Sequence, residues 1–278
     1  MSPPSQAPTH GAHVVLAVKD PLQAKSRLAG VFAAEHRAQL TLAMLTDTIA
    51  AARRSAEVAA VHVVTRDSAV AEEAARRGAG VIADPPTEGL NAALEHAANT
   101  VGARWVVALQ PDLAALRPGE LTAALVAARE GGHRCFTADR HGSGTTLLSS
   151  REGALQPLFG TDSAARHAHS GGLALRGTWP GLRCDVDTLA DLAEALLLGV
   201  GPATGAVLGA VGTPATVVEQ TGGVVLLRTD DGSVLRSLDA AALLGGWRQL
   251  SPGQRLRAYR DSADQVVLLT SAAVTAPG

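Results

Sequence analysis

The chain has 278 residues, 46% of them hydrophobic and only 3% aromatic, so Ala and Val must fill a core that suits one large domain or a domain plus a small module. A formal net charge of -2 and a pI near 6.5 give no electrostatic case for binding nucleic acid or an anionic membrane surface. No apolar run is long enough to span a membrane, and Cys135 and Cys184 lie in apolar runs. We therefore expect a soluble cytoplasmic protein with reduced core thiols and a disordered segment at 1–12.

Apolar runs of strand length alternate with helical patterns over the first half of the chain. This alternation predicts an α/β fold with a doubly wound, mostly parallel sheet, in which ligands bind beyond the carboxyl ends of the strands. The predicted strands are His13–Val18, Val61–Val64, Gly80–Ala83, Trp105–Leu109 and Cys135–Ala138, and the predicted helices are Ala34–Arg54, Ala69–Arg77, Leu90–Asn99 and Pro118–Glu130.

The loop after the first strand carries both lysines of a chain that otherwise uses 22 arginines. A compact ammonium and a guanidinium are not equivalent at phosphates, so the retention of both lysines in one loop indicates phosphate binding. Lys19, Lys25 and Arg27 are therefore predicted to bind a polyphosphate. The alternative is that the clustering is accidental and these charges are only solvated. The loop is neither a P-loop nor a dinucleotide-binding glycine motif.

Three aspartates follow predicted strands. Asp112 lies beyond the fourth strand, too far before the helix at Pro118 to cap it. Asp185 and Asp187 lie between a predicted short buried strand ending at Leu182–Cys184 and a helix, Leu189–Leu198, that Thr188 is predicted to cap. Residues two apart in an extended segment point to one side, which predicts a divalent metal between the carboxylates. The alternative is one helix cap and one solvated carboxylate.

Further loops offer groups for small ligands. Gly89 lets the backbone approach a flat ligand and Asn91 can read a base edge, although Asn91 is equally suited to cap the next helix. Ala138–Thr146 is predicted to be a flexible glycine and hydroxyl turn, and Leu158–His167 places small residues at the start of a short helix, where an anion is favoured. Each could also be a plain turn or cap. His167 and His169 face opposite ways on such a helix, which rejects them as a metal pair.

The C-terminal part of the chain lacks the alternation of strands and helices and instead has a series of short strand-like runs. Gly199–Pro214 reads as a last helical turn plus a linker, and the Asp230-Asp231-Gly232 turn predicts a hairpin. We predict an OB-like five-stranded barrel at 213–278 after an α/β domain at 13–212. Its balanced charge and few aromatics favour packing or homo-oligomer contact over binding of single strands. The predicted strands are Ala215–Val218, Gly223–Arg228, Val234–Leu238, Leu256–Tyr259 and Val266–Thr270.

The order of these motifs resembles the phospholactate or phosphoenolpyruvate guanylyltransferases of deazaflavin coenzyme F-420 biosynthesis, which are similar to molybdenum-cofactor guanylyltransferase-type nucleotidyltransferases. The barrel lies outside the shared region and looks like an appended cold-shock-like domain. The motifs are Ala17–Lys19 with Ala24–Leu28, Leu109–Leu113, Ala138–Arg140 with Gly142–Thr145, Phe159-Gly160 with Ser163 and Arg166-His167, and Gly181–Thr188.

The resemblance implies a nucleotide-diphospho-sugar transferase-like fold, GTP as one substrate, phosphoenolpyruvate or 2-phospholactate as the other, and a downstream transferase of the deazaflavin pathway as a partner. Other acceptors, a sugar phosphate or molybdopterin, and a non-enzymatic barrel-led RNA-binding or regulatory role are the alternatives. Pro111 replaces a glycine usual in the family. The resemblance implies that Asp112, Asp185 and Asp187 bind Mg²⁺, that the loop Lys19–Arg27 binds the triphosphate, and that Thr145, Gly160 and Ser163 bind the acceptor. Asn91, Gly144 and Arg166 are further substrate-binding candidates.

Overall fold

The computed structural model describes residues 11–85, 89–243, 250–261 and 264–271; all but the last two residues of the N-terminal segment expected to be disordered lie outside these ranges. The chain divides into two compact units, Met1–Asp20 with Leu45–Asp185, and Pro21–Met44 with Val186–Gly278. The domain boundary at residue 212 stays a prediction from the sequence.

The first unit contains a seven-stranded sheet in the order β3-β2-β1-β4-β6-β5-β7. β6 pairs antiparallel with both β4 and β5, and the other pairs in this sheet are parallel, so the predicted mostly parallel sheet is confirmed. The strands are β1 (Ala12–Ala17), β2 (Val58–Thr65), β3 (Gly80–Ala83), β4 (Trp105–Leu109), β5 (Arg134–Ala138), β6 (Thr145–Arg151) and β7 (Leu173–Ala174).

The helices begin and end close to where the sequence pattern places them. α4 (Pro118–Gly131) has proline in its first turn, where a missing backbone N–H costs nothing, and α2 (Ser68–Arg76) is capped by Asp67, whose side chain accepts from the N–H of Val70 at 2.9 Å. The remaining helices of the sheet region are α1 (Ala34–Arg53), which runs through both units, α3 (Leu90–Val101) and α5 (Ser163–His169).

The strand register brings several loops to one edge of the sheet. Val15 of β1 pairs with Ala108 of β4, and Leu109 of β4 pairs with Leu147 of β6. Because β4 ends where β6 begins, Asp112 and Thr145 follow and open neighbouring strands at the carboxyl edge, which is where α/β sheets bind ligands.

Three local predictions are wrong. The turn predicted to run to Thr146 ends earlier, because Thr145 opens the buried strand β6 between β4 and β5. Leu182–Cys184 forms a turn rather than a strand end; it is apolar because the turn is packed inside, with Leu182 and Cys184 fully buried. Gly199–Pro214 is mostly the helix α7 (Pro202–Val211), whose small residues bury Thr204 and Leu208.

In the second unit, α6 (Leu189–Leu198) begins after Thr188 as predicted. The barrel is closed in the order β10-β12-β11-β8-β9, with β10 and β12 parallel and the other pairs antiparallel. The five-stranded barrel prediction and its β9–β10 hairpin are confirmed. The strands are β8 (Thr213–Thr221), β9 (Val224–Thr229), β10 (Val234–Leu243), β11 (Arg255–Arg260) and β12 (Val266–Ser271).

Cys135 and Cys184 are free and buried, as expected for core thiols. Among the described residues, none of the helices combines the length and the apolar character that crossing a bilayer requires.

Candidate active site

The predicted site residues divide between the two units. Lys19, Asp112 and Asp185 belong to the first, together with all the predicted acceptor residues, whereas Lys25, Arg27 and Asp187 belong to the second.

The corner after β4 holds Asp112 in place. The Gln110 backbone N–H donates to the Thr146 carbonyl at 2.9 Å, and the Thr48 hydroxyl donates to the Pro111 carbonyl at 3.2 Å. Asp112 is only 8% exposed, and α4 begins six residues later. The carboxylate is therefore too far away to cap that helix, which confirms the prediction from the sequence.

A clamped turn leads to Asp185. Both carboxylate oxygens of Glu120 accept backbone N–H groups, from Gly181 at 3.2 Å and from Leu182 at 2.9 Å. The Arg183 guanidinium donates to the Ala138 carbonyl at 2.7 Å, at the end of β5. Asp185 thus follows a turn that is tied both to α4 and to the carboxyl edge of the sheet.

In the second unit, Lys25 and Asp187 form an ion pair. The distance from Lys25 Nζ to Asp187 Oδ1 is 2.8 Å, and the lysine side chain is 8% exposed against 52% for the aspartate. Asp187 immediately precedes the capping box of α6, in which Thr188 and Asp191 exchange hydrogen bonds. Lys25 adopts the left-handed conformation with φ of 55°.

Lys19 lines a cavity in the first unit, whereas Arg27 is exposed in the second. The cavity has a volume of about 430 Å³ and lies beyond the carboxyl ends of β1, β2 and β3. Its mixed charges suit a polar ligand. The other lining residues are Asp20, Arg66, Asp67 and Asp84.

The predicted metal ligands are all carboxylates, the hard oxygen donors that Mg²⁺ prefers. Within the part of the chain that the structure describes, no three His, Cys, Asp or Glu side chains form a group able to hold a metal by themselves. Mg²⁺ is usually bound through one or two carboxylates together with substrate phosphates, so a complete protein cage is not required. The donor chemistry of Asp112 and Asp185 at the sheet edge therefore fits this ion.

The three predicted acceptor residues are hydrogen-bonded to one another. The Ser163 hydroxyl donates to the Thr145 hydroxyl oxygen at 3.1 Å, and the Ser163 backbone N–H donates to the Gly160 carbonyl at 3.1 Å. Thr145 opens β6 and Ser163 opens α5. Residues that lie 18 positions apart thus form one cluster at the sheet edge.

His167 joins this cluster, and sequence reasoning assigned it no role there. Its Nδ1 atom lies 2.9 Å from the Thr145 hydroxyl oxygen. Burial, the largest cause, and the positive charges of Arg134 and Arg166 together lower the pKa of His167 to about 4, although a backbone hydrogen bond with Ser163 acts in the opposite direction. The i, i+4 spacing of Ser163 and His167 is the sequence signal that could have placed both on one helix face. His169 is exposed, so the rejected metal pair indeed faces opposite ways.

The further substrate-binding candidates Asn91, Gly144 and Arg166 contact or lie in the loops around the cluster. Asn91 does not cap α3, whose N-cap is Gly89; its amide exchanges two hydrogen bonds with the Phe159 backbone, at 2.8 and 3.1 Å. A Cβ at Gly144 would meet Asp139 Oδ2 at 2.5 Å. A Cβ at Gly160, where φ is +119°, would lie 3.0 Å from an Arg166 guanidinium nitrogen, so this cation borders the loop.

A family model described as "Guanylyl transferase CofC like" matches residues 12–220. The phosphoenolpyruvate guanylyltransferase of Geodermatophilus obscurus is 56% identical over 176 residues, covering 63% of this chain and 81% of the relative. The protein of the same name from Mycolicibacterium smegmatis is 50% identical over 201 residues, covering 69% and 88%. That from Nocardia farcinica is 48% identical over 218 residues, covering 76% and 96%.

Among solved structures, a Desulfovibrio desulfuricans G20 protein described as a nucleotide-diphospho-sugar transferase aligns with a TM-score of 0.51. It is 18% identical and the alignment covers 66% of this chain and 84% of that one. At this identity the similarity shows the fold alone, which agrees with the predicted nucleotide-diphospho-sugar transferase-like class.

Proposed function

The chain belongs to the guanylyl transferase CofC-like family, and we propose that it joins GTP to phosphoenolpyruvate, giving enolpyruvoyl-2-diphospho-5'-guanosine and pyrophosphate in coenzyme F-420 biosynthesis. The observation that carries this proposal is the 48–56% identity to relatives named phosphoenolpyruvate guanylyltransferases, over 81–96% of their lengths. The linked cluster of Thr145, Gly160 and Ser163 gives it a structural counterpart.

In the proposed reaction, an oxygen of the acceptor phosphate attacks the α-phosphorus of GTP in line. A new oxygen–phosphorus bond forms, the bond from the α-phosphorus to the bridging β-oxygen breaks, and pyrophosphate leaves with its electron pair. The acceptor phosphate is already anionic, so no enzyme nucleophile is needed. Catalysis then depends on positioning and on neutralising charge.

The basic residues of the first loop are proposed to bind the triphosphate. Lys19 and Arg27 are exposed, and Lys25 is held by Asp187 at 2.8 Å. An ammonium or guanidinium beside the leaving pyrophosphate stabilises the charge that accumulates there. Thr145, Gly160 and Ser163 would hold the acceptor, with Asn91, Gly144 and Arg166 shaping the surrounding loops.

Mg²⁺ is the proposed cofactor, with Asp112, Asp185 and Asp187 as its protein ligands. When bound, the ion would supply electrostatic stabilisation to the phosphate oxygens of both substrates. The clamped turn before Asp185 and the buried corner at Asp112 support this assignment, because hydrogen bonds hold the backbone that precedes each aspartate.

The test is a pyrophosphate-release assay with GTP and phosphoenolpyruvate, with and without MgCl₂, coupled to the downstream transferase because the product contains a reactive phosphoric anhydride. We expect magnesium-dependent release with phosphoenolpyruvate, and slower release with 2-phospholactate, a sugar phosphate or ATP in place of the matching substrate. Faster turnover with 2-phospholactate would correct the acceptor, and absence of release with every pair would reject the activity.

The metal ligands are tested by Asp112→Asn and Asp185→Asn, which keep the side-chain shape but remove the charge. Turnover should fall about a hundredfold or more in each, by analogy with the loss of one preorganised electrostatic partner. Asp162→Asn is the matched control, since Asp162 is an exposed aspartate in the same unit. Wild-type turnover of both test variants would reject the metal assignment.

A further inference from the structure

His167 occupies a closed environment in the first unit. Its side chain is fully buried, with the rings of Phe136 and Phe159 at centroid distances of 5.8 and 5.2 Å. Both ring nitrogens lie at hydrogen-bond distance from a partner: Nδ1 is 2.9 Å from Thr145 Oγ1, and Nε2 is 2.9 Å from the backbone nitrogen of Leu158.

The partner of Nε2 decides where the ring carries its hydrogen. A backbone N–H can only donate, so Nε2 must present a lone pair to Leu158. A ring buried beside Arg134 and Arg166 stays neutral at neutral pH. The single ring hydrogen therefore lies on Nδ1, which makes His167 the donor and Thr145 the acceptor in the contact between them.

The Thr145 hydroxyl accepts a second hydrogen bond, from Ser163 Oγ at 3.1 Å. A hydroxyl oxygen has two lone pairs and one hydrogen. With both lone pairs engaged by His167 and Ser163, the only remaining function of the hydroxyl is to donate its hydrogen.

We propose that His167 is a positioning residue that fixes the Thr145 hydroxyl as a donor toward an anionic oxygen of the acceptor substrate. This inference rests on the proposed function, which assigns Thr145 to the acceptor. A donor with fixed polarity suits a carboxylate or a phosphate, which only accept hydrogen bonds, and it discriminates against a neutral donor group at the same place.

Two amide variants separate the two ring contacts. His167→Asn places an amide NH₂ where Nδ1 lies, so it keeps the donor to Thr145 and leaves the Leu158 N–H without its acceptor. His167→Gln places an amide oxygen where Nε2 lies, so it keeps the acceptor for Leu158 and loses the donor to Thr145.

We expect His167→Gln to raise KM for phosphoenolpyruvate about tenfold, the effect of one hydrogen bond, with KM for GTP unchanged. His167→Asn should keep KM for phosphoenolpyruvate within about twofold of wild type, although it is the less stable of the two to urea. If His167 had only a structural role, the variant that is less stable to urea would also have the higher KM for phosphoenolpyruvate. Equal KM values in both variants, or a KM that follows stability, would overturn the inference.

A double-mutant test uses Thr145→Val, which removes the hydroxyl at nearly constant shape. In this background His167→Gln should change KM for phosphoenolpyruvate by less than about twofold, because the group that it orients is gone. A full tenfold additional effect would mean that His167 acts by another route.

Nitrogen-15 NMR of the imidazole in the substrate-free protein at pH 7 reads the tautomer directly. The expected spectrum has Nδ1 protonated and Nε2 bare. Nε2 protonation in a chain that releases pyrophosphate with GTP and phosphoenolpyruvate overturns this inference alone. If the ring has the expected tautomer but the protein releases no pyrophosphate from GTP and phosphoenolpyruvate, the proposed function is wrong, and with it the substrate assigned to Thr145.

Discussion

Lys25 Nζ and Asp187 Oδ1 lie 2.8 Å apart although 162 positions separate the two residues along the chain. One of only two lysines thus neutralises a carboxylate directly before α6. Lys25 holds this position from a left-handed backbone conformation with φ of 55°, which costs a side-chain-bearing residue roughly 1 kcal/mol. A residue kept in such a conformation at a predicted substrate loop is consistent with a functional requirement.

We expect Lys25→Met to lower kcat/KM for GTP about a hundredfold or more, because the triphosphate loses a cation that Met cannot replace. Lys25→Arg keeps the charge but not the compact ammonium, and should retain part of the activity. The free energy of unfolding should change by less than about 1 kcal/mol in either, since one partner is exposed. Steady-state kinetics and urea titration measure both quantities.

The control for Lys25 is Arg260→Met. Arg260 pairs with Asp264 at 2.7 Å on the barrel, so its loss removes an ion pair outside the predicted site. Its kcat/KM should equal that of wild type. Equal losses of activity in Lys25→Met and Arg260→Met would show that the lysine has no special part in substrate binding.

Gly160→Ala should raise KM for the acceptor about tenfold. Alanine is strained at φ of +119°, and its Cβ would lie 3.0 Å from the Arg166 guanidinium. Gly132→Ala separates the backbone strain from the contact with Arg166, because its φ is +135° while, apart from the glycine and its chain neighbours, no heavy atom lies within 4 Å of the added carbon. Both variants should lose a similar free energy of unfolding. If Gly132→Ala raises the acceptor KM as much as Gly160→Ala does, the contact with Arg166 is irrelevant.

Glu120→Gln should destabilise the turn before Asp185. Glu120 accepts two backbone N–H groups, whereas glutamine offers one oxygen and turns an NH₂ group toward the second donor. We expect a loss of about 1–3 kcal/mol in the free energy of unfolding and a reduced kcat. Glu130→Gln, at the exposed end of the same helix, should change neither. A fully active, fully stable Glu120→Gln would mean that the turn does not depend on this clamp.

The pH dependence of stability should report on His167. Burial lowers its pKa from the ordinary 6.5 to about 4, so between these values the unfolded chain binds a proton that the folded chain does not. The free energy of unfolding should therefore fall as the pH drops from about 6.5 to about 4, by on the order of 3 kcal/mol. The pKa values of His13 and His62 are also lowered by burial and add to this slope.

In His167→Gln the loss of stability between pH 6.5 and pH 4 should be smaller, because the titrating ring is gone. His169→Gln is the matched control, since this ring is exposed on the same helix and should leave the slope unchanged. Urea unfolding at a series of pH values measures both. Identical slopes in wild type and His167→Gln would contradict a buried neutral imidazole.

Some strands and helices could be predicted from short stretches of sequence alone. The strands Gly80–Ala83 and Trp105–Leu109 and the helix Leu189–Leu198 begin and end where the sequence predicts, because apolar runs and the Thr188 cap act within a few residues. The glycine-rich helix α7 was missed, since its composition resembles a linker and its burial comes from tertiary packing.

By itself, the sequence determined the mostly parallel sheet and the five-stranded barrel, since each rests on hydrophobic periodicity and turn signals within short segments. The site residues stay predictions. Only the tertiary structure decided that β6 opens at Thr145 inside the sheet, and that His167 and Ser163 engage its hydroxyl. Likewise, only the fold decided that Lys25 pairs with Asp187. The physical reason is that hydrogen bonds and ion pairs between distant segments depend on chain packing, which leaves no periodic signal in the sequence.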